Sequence, residues 1–433
     1  MKLVLKMKKI PLAWLWAAWL LPLSSHASLL NSQQIFEKTR PSVVEVVTKS
    51  NGDEGVVSRA SGFLAFKNDI VVTNYHAITE VVFEGVDHQL EIVTASGKHV
   101  QAQVIAVDVR NDLALLKIAE SLKAPLLQIR NATPKKGEQG YSMGKPGSYQ
   151  QLIVGGTFNG TTENASVPKL IFSGAINPGM SGGPTLDANG LVVGINVATS
   201  RNNQLLGLAV PVQELQRLVE NSNLNVGSNS DLKTIIAKQL AKFGEQQLQL
   251  TDKSDLPVRN LGPFEVMADL APERLCRTLQ NNNKELFYKV VELRCSSQDG
   301  LYVMQDVYAG HIATGAIWFD GSNLNTWRLA AIVERRLSEL RTVGREDENE
   351  KPWQCKEERI STHSKVTVHL IACKRPVRDL PGLFDFRFRY TPLIAGTNAL
   401  IVGIRLSGFD ESTAKRVIKK SLANLQVHRG TQP

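Results

Sequence analysis

Short apolar runs separated by turn residues dominate the chain between residue 28 and about residue 220. Five of these runs are residues 43–47, 62–66, 70–72, 90–93 and 104–107. Many short strands with few helices are typical of a β-barrel or a β-sandwich. Helices are predicted only at the two ends of this half: a short one over residues 32–38, and a closing one after Pro211, where apolar residues recur at helical spacing, namely Val212, Leu215, Leu218 and Val219.

The pattern changes at residues 221–230, which are polar and rich in turn-forming residues, so we predict a linker there. A helix is predicted to follow, with Ser230 as its N-cap and Gly244 just past its end. Its apolar face consists of Leu232, Ile235, Ile236, Leu240 and Phe243. Linker and helix together form a connecting segment, residues 221–256.

The remaining chain resembles an internal duplication, with copies at residues 257–345 and 346–433. Each copy holds two cysteines, with 18 intervening residues in one and 17 in the other, and each ends in a predicted helix, at 327–340 and 414–425. Residues 302–308 also resemble residues 384–390. We therefore predict an α+β region of two tandem disulfide-bearing repeats, although a chance similarity of strand patterns remains the alternative.

The four cysteines permit three pairings. Because each copy carries two of them at similar spacing, pairing within each copy lets both copies keep the same structure. We predict the bridges Cys276–Cys295 and Cys355–Cys373, and the alternative is four free, buried thiols. An exported protein would meet the oxidising conditions that these bridges need.

The first 27 residues have the features of a secretory signal peptide. Four lysines precede an apolar run over residues 10–23, and Ser25 and Ala27 then stand three and one positions before a cleavage site. The alternative is an uncleaved anchor, but the run is shorter than the roughly 20 residues that span a bilayer. Loss of residues 1–27 removes four lysines and no acidic residue, so the formal charge falls from +9 to +5. We expect a secreted, periplasmic protein.

Composition excludes several classes of function. Charged residues make up 21% and hydrophobic ones 42% of the 433 residues, which indicates two or three globular domains. The chain has no block of basic residues interleaved with aromatic ones, so nucleic-acid binding is not predicted. No stretch after residue 27 is long and apolar enough to span a membrane. The histidines show no metal-ligand spacing, so neither a metal nor another cofactor is predicted.

One stretch, residues 177–184, carries the strongest chemical signal, since it places Ser181 among three glycines. Glycine tolerates backbone angles that other residues avoid, so such a cluster predicts an unusual turn. A nucleophilic serine needs a turn that exposes its hydroxyl and directs N–H groups at the developing oxyanion. Gly179 and Ser181 would supply these N–H groups. The alternative is a Gly-rich hairpin loop that holds an ordinary serine.

A serine nucleophile needs a base, and the base needs an orienting acid. His76 directly follows an apolar strand, and Asp112 stands just ahead of another. The order His76, Asp112, Ser181, with gaps of 36 and 69 residues, fits a two-barrel serine protease whose first barrel provides the histidine and aspartate and whose second provides the serine.

These motifs resemble the HtrA/DegP family of exported serine proteases over roughly residues 34–220. The matching pieces are residues 61–63, 73–76, 111–118, 144–146, 177–184 and 206–211. The resemblance implies an all-β, chymotrypsin-like double β-barrel over residues 28–220 that cleaves unfolded or damaged exported proteins. Ser181 would attack, His76 would take the proton and Asp112 would hold the imidazole, while Gly179 and Ser181 would form the oxyanion hole.

The resemblance also implies a specificity pocket lined by Leu206, Gly207 and Leu208. Since no acid stands out there, a small or medium apolar side chain is expected before the cut. The chain departs from the family in two ways. Met180 stands where the family usually has a polar residue, and no sequence resembling the carboxylate-binding loop of a PDZ domain is found after residue 225. A protein partner through residues 257–433 is therefore a separate hypothesis, and a homo-oligomer is left open.

Two other functions compete with an exported endopeptidase. The first is a non-catalytic binding or chaperone protein on a protease fold, with the C-terminal repeats as the interaction module. The second is a serine esterase, which the chain order disfavours because α/β-hydrolases run serine, acid, histidine.

Overall fold

A computed structural model describes residues 31–428, apart from 53–54, 86, 147–148, 164, 200–205, 223–230, 253–257, 268–273, 282–286, 298–299, 343–350 and 393–395. The predicted signal peptide, residues 1–27, lies outside the described residues, as does Ser230. Among the helices that the structure does describe, none combines the length and the apolar character that crossing a membrane requires.

The first β-barrel follows helix α1 (Ser32–Thr39), whose N-terminus is closed by reciprocal hydrogen bonds between Asn31 and Gln34. Its strands close in the order β1-β2-β3-β6-β5-β4, and a short helix, α2 (Thr79–Phe83), follows β3. Side chains alternate between exposed and buried along β5, so one face of the strand fills the barrel. The strands are β1 (Val43–Ser50), β2 (Val56–Leu64), β3 (Ile70–Thr73), β4 (His88–Val93), β5 (His99–Asp108) and β6 (Leu113–Ile118).

The second barrel closes in the order β10-β11-β12-β9-β8-β7. Helix α3 (Val212–Glu220) then leaves it, with Val212, Leu215 and Leu218 buried, as the helical spacing predicted. Two closed six-stranded barrels are the architecture of a chymotrypsin-like double barrel. The strands are β7 (Gln139–Gly144), β8 (Leu152–Thr161), β9 (Leu170–Phe172), β10 (Pro184–Asp187), β11 (Val192–Thr199) and β12 (Gly207–Pro211).

Helix α4 (Leu232–Asp252) connects the barrels to the rest of the chain. Asp231 closes its N-terminus by accepting a hydrogen bond from the Thr234 backbone N–H at 3.2 Å. The predicted end at Gly244 is wrong, because the helix continues through it. A Cβ at Gly244 would lie 2.9 Å from the Phe409 ring, so this glycine permits close packing and does not end the helix.

The C-terminal region is built on one seven-stranded antiparallel sheet in the order β15-β16-β19-β23-β22-β21-β20. Helix α5 (Thr326–Thr342) packs on one face, while α6 (Glu411–Ala423) and the end of α4 pack on the other. The remaining elements are β13 (Val258–Leu261), β14 (Phe264–Met267), β15 (Arg274–Asn281), β16 (Lys289–Ser297), β17 (Leu301–Met304), β18 (Val307–Ala309), β19 (His311–Asp320), β20 (Gln354–Ser361), β21 (Thr367–Pro376), β22 (Phe384–Pro392), β23 (Asn398–Phe409) and β24 (Gln426–Val427).

Both predicted disulfides are confirmed. Cys276 bonds to Cys295 across the β15–β16 pair, and Cys355 bonds to Cys373 across the β20–β21 pair. In both pairs the cysteines stand directly opposite each other, one hairpin at each edge of the same sheet. The two halves of the region therefore share one sheet.

The similarity between residues 302–308 and 384–390 does not extend to their structure. Residues 384–390 lie in one long strand, β22, in the middle of the sheet. Residues 302–308 instead bend into the β17–β18 hairpin, which forms a separate two-stranded sheet. This hairpin and helix α4 share a hydrophobic core with the first barrel, which joins the C-terminal region to that barrel.

Candidate active site

Strand pairing brings His76 and Asp112 together. Strands β3 and β6 pair antiparallel, with Thr73 opposite Ala114, so the end of β3 lies beside the start of β6. His76 follows β3 in a single 3-10 turn (Tyr75–Ala77), and Asp112 directly precedes β6. The spacing of these two residues in the sequence therefore becomes a contact in the first barrel.

Asp112 fixes the imidazole of His76 through two hydrogen bonds. One carboxylate oxygen lies 2.7 Å from His76 Nδ1, and the other accepts the His76 backbone N–H at 2.9 Å. Asp112 adopts a left-handed backbone conformation, φ 61°, which aspartate tolerates better than most residues. The side-chain amide of Asn74 donates to its carbonyl at 2.7 Å and holds this conformation.

The charges around His76 make it a stronger base. Burial by itself lowers the pKa of the imidazole, because a charged ring is disfavoured away from water. The negative charge of Asp112, its hydrogen bond and the charge of Glu80 outweigh this effect, and Lys169 opposes them only weakly. The pKa of His76 is therefore raised above its usual 6.5.

The serine loop, residues 177–184, docks directly on the first barrel. The Ser61 backbone N–H donates to the carbonyl of Ser181 at 2.8 Å. Gly182 has φ +83°, and a Cβ there would overlap the carbonyl oxygen of Ser61 and the hydroxyl of Thr73. Only glycine fits this backbone conformation and this close approach. The docking places Ser181 beside the segment that carries His76.

The Ser181 hydroxyl donates to the carbonyl of Val197 at 2.8 Å. Among the described residues, no hydrogen bond joins it to His76. Attack on a substrate through this base therefore requires the Ser181 side chain to rotate away from Val197.

Two backbone N–H groups of the same turn, those of Gly179 and Ser181, were predicted as oxyanion donors. Gly179 has φ +88°, and the backbone N–H groups of Gly179 and Ser181 donate to no other group in the part of the chain that the structure describes. Unpaired N–H groups beside a serine hydroxyl suit an oxyanion. Gly179 and Ser181 as the oxyanion donors stay a prediction.

Several residues that support the serine loop were matched by motif but given no role by the sequence. The Ser61 hydroxyl donates to the Gly179 carbonyl at 2.7 Å and accepts the Lys145 backbone N–H at 2.8 Å. The Lys145 ammonium pairs with Glu45, which is only 1% exposed and also pairs with Arg59. These contacts link both barrels to the turn that carries the oxyanion donors.

Met180 is fully buried, which accounts for an apolar residue at this position. The side-chain amide of Asn196 donates to the Met180 carbonyl at 3.1 Å and to that of Met143 at 2.8 Å. The Asn196 side chain therefore holds the backbone of the turn, while the Met180 side chain is packed in the interior.

The predicted pocket residues stand together at the start of β12, which pairs with β9 and β11. Leu206 and Leu208 are half-buried and Gly207 is buried. The side chain of Ile176 lies against Gly207, where a Cβ would overlap it. The wall of the predicted pocket is therefore apolar, and the Ile176 side chain fills the space beside Gly207.

Within the described residues, no group of three or more His, Cys, Asp and Glu is arranged to hold a metal ion.

Part of the chain is similar to known proteins. The family model of the trypsin-like peptidase domain matches residues 60–195. Protease Do-like 5, chloroplastic, from Arabidopsis thaliana is 30% identical over 217 residues, which cover 43% of this chain and 67% of that protein. Serine protease HTRA1 from Xenopus laevis is 26% identical over 258 residues, 55% of this chain and 54% of that protein.

A crystal structure of the serine endoprotease from Yersinia pestis is also similar, at 25% identity over 44% of this chain and 66% of that chain, with a TM-score of 0.39. The chain spans about half the length of the HTRA1 relative. From the matched peptidase domain and the Do-like relative, the chain belongs to the HtrA/Do family of trypsin-like serine proteases.

Proposed function

We propose that this protein is an exported serine endopeptidase that cleaves unfolded or damaged polypeptides through the triad His76, Asp112 and Ser181. The observation that carries the proposal is the pairing of His76 with Asp112 at 2.7 Å, beside a serine loop docked on the same barrel. A fluorophosphonate probe tests it directly, because the probe labels an activated serine. Labelling of the parental chain but not of Ser181→Ala is expected, and absence of labelling in the folded parental chain contradicts the proposal.

In the proposed reaction, the Ser181 hydroxyl leaves Val197 and turns towards Nε2 of His76. His76 takes the hydroxyl proton as Oγ attacks the scissile carbonyl, and the oxyanion is held by the N–H groups of Gly179 and Ser181. His76 then gives that proton to the leaving amine, which leaves an acyl-enzyme. Water then attacks the acyl carbonyl and loses a proton to His76, which returns that proton to Ser181 Oγ as the ester bond breaks and the acid leaves. Throughout, Asp112 keeps the imidazole in the tautomer with its proton on Nδ1.

The pH profile of kcat/KM should show an acid limb. His76 must be neutral to accept the proton, and its raised pKa keeps it protonated to higher pH than an ordinary histidine. Activity is therefore expected to fall as pH decreases through a midpoint above 6.5. Glu80→Gln removes one of the charges that raise this pKa, so it should move the midpoint down, whereas Glu84→Gln, at an exposed position, is the matched control. A flat profile between about pH 5 and 8 in folded protein contradicts a histidine base.

The apolar wall of Leu206, Gly207 and Leu208 supports a preference for a small or medium apolar side chain before the cut. Since Ile176 fills the space against Gly207, Ile176→Ala should enlarge the pocket and shift preference by about tenfold towards larger apolar side chains. Cleavage-site profiling of a denatured protein measures this shift. Ile105→Ala, a half-buried truncation in the first barrel, is the control for lost stability. If folded Ile176→Ala keeps the parental preference for the side chain before the cut, these residues do not line the specificity pocket.

Export to the periplasm is part of the proposal. Its support is the predicted signal peptide over residues 1–27 and the two disulfides, which persist in oxidising compartments. Mass spectrometry of the N-terminus in periplasmic extract tests it, with cleavage after Ala27 expected.

We also propose that residues 257–345 and 346–433 arose by duplication. The support is the matching position of the two disulfide-bonded hairpins at opposite edges of one sheet, with β19 and β23 paired at its centre. A protein partner of this region is expected to be captured by an inactive Ser181→Ala chain after cross-linking, and the same experiment reports homo-oligomers.

A further inference from the structure

The β17–β18 hairpin of the C-terminal region packs on the segment that carries His76. The hydroxyl of Tyr75, the residue before the histidine, donates to the carbonyl of Val303 at 2.7 Å. Tyr75 is fully buried, so this bond is shielded from water. Leu301, Val303, Met304 and Ala309 are buried in the same core as the first barrel. The hairpin is therefore anchored beside the catalytic histidine.

One side chain of the hairpin reaches the histidine ring. Side chains alternate along a strand, so Tyr302 faces away from its buried neighbours Leu301 and Val303. Its ring meets that of His76 edge-on, with centroids 6.5 Å apart and planes at 87°. On its other side, the Tyr302 ring packs edge-on against that of Tyr308, with centroids 5.8 Å apart and planes at 76°. Contacts on both sides hold Tyr302 in place.

His76 needs such a support. Its bond to Asp112 fixes Nδ1 but leaves the ring free to tilt about that bond, and the side chain is 33% exposed. Proton transfer from Ser181 requires Nε2 at hydrogen-bonding distance and in line. An aromatic edge against the ring restricts the tilt and shields the Asp112 pair from water. Burial raises the pKa of Tyr302, so it is uncharged wherever His76 titrates.

We propose that Tyr302 is a positioning residue for His76, supplied to the active site by the C-terminal region. The inference rests on the proposed function, since it assigns the tyrosine a role through the catalytic base. The proposal also explains a difference between the two copies. Residues 384–390 lie in the seven-stranded sheet, whereas residues 302–308 form a separate hairpin, and this hairpin is the part of the first copy that contacts the first barrel.

The test compares Tyr302→Ala and Tyr302→Phe with the parental full-length chain. Tyr302→Ala should lower kcat by about 10- to 100-fold, as expected for misplaced catalytic groups, with a smaller change in KM. Tyr302→Phe keeps the ring edge and should restore most of the rate. Phe287→Ala, at a 70% exposed aromatic residue of the same region, is the matched control. Melting temperatures show whether each variant is folded.

A second readout is independent of catalysis. The pKa of His76 is followed by NMR with isotope-labelled histidine. The groups that set it are Asp112, Glu80 and Lys169, together with burial beneath Tyr302. Since burial lowers this pKa, Tyr302→Ala should raise it and shift the acid limb of the pH profile upwards. Tyr302→Phe should leave it in place.

The outcomes separate the two proposals. Loss of rate with a shifted His76 titration in Tyr302→Ala, and rescue of both by Tyr302→Phe, supports the positioning role. An unchanged kcat and titration in folded Tyr302→Ala overturns it, even if its melting temperature falls. If the parental chain has no peptidase activity, the proposed function fails, and an unchanged His76 titration in Tyr302→Ala would then overturn the contact as well.

Discussion

Ser181→Ala is expected to lower kcat/KM on an unfolded substrate such as casein by on the order of 10⁴–10⁶. The alanine removes the only atom that can attack, and neither Val197 nor the oxyanion donors can replace it. The fold should remain intact, because the hydroxyl makes one hydrogen bond to the described part of the chain and the loop is held by Ser61, Gly182 and Asn196. The remaining rate should come only from substrate binding and from the oxyanion donors.

The control for this variant is Ser96→Ala, at an exposed serine outside the site, which should keep parental activity. Circular dichroism and melting temperature show whether Ser181→Ala is folded. Parental rates of casein digestion by purified Ser181→Ala would show that another residue, or a contaminating protease, performs the cleavage.

Asp112→Asn is expected to lower kcat by on the order of 10⁴ with little change in the fold. The asparagine oxygen can still accept the His76 backbone N–H, which lies 2.9 Å from the carboxylate in the parental chain. Its amide group then faces Nδ1 as a donor and moves the ring proton to Nε2. In that tautomer Nε2 cannot take the proton of Ser181.

The measurement is single-turnover and steady-state kinetics beside a histidine NMR spectrum, which reports the tautomer. Asp87→Asn, at an exposed aspartate outside the site, is the matched control. A near-parental rate for folded Asp112→Asn removes this carboxylate from the mechanism. Loss of rate with an unchanged tautomer would mean that Asp112 acts through its charge alone.

Local pattern was enough to predict much of the architecture. The apolar runs over residues 43–118 became strands, because side-chain alternation and turn residues specify them locally. The cysteine pairing was predicted from the similar spacing in two similar segments, and the structure has the same two bonds. The helix end at Gly244 was mispredicted for a non-local reason. The glycine is required by the approach of Phe409, which lies 165 positions further along the chain.

The sequence by itself determined which groups could react: Ser181 among glycines, His76 after one strand and Asp112 before another. It determined this because residue type and its position relative to a strand are local properties. Only the tertiary structure decided what surrounds these groups. The Val197 carbonyl that holds the Ser181 hydroxyl, the Glu45–Lys145 pair below the loop and Tyr302 against His76 are contacts between segments distant in sequence. Such contacts depend on how barrels and hairpin pack, and no periodicity in the chain encodes them.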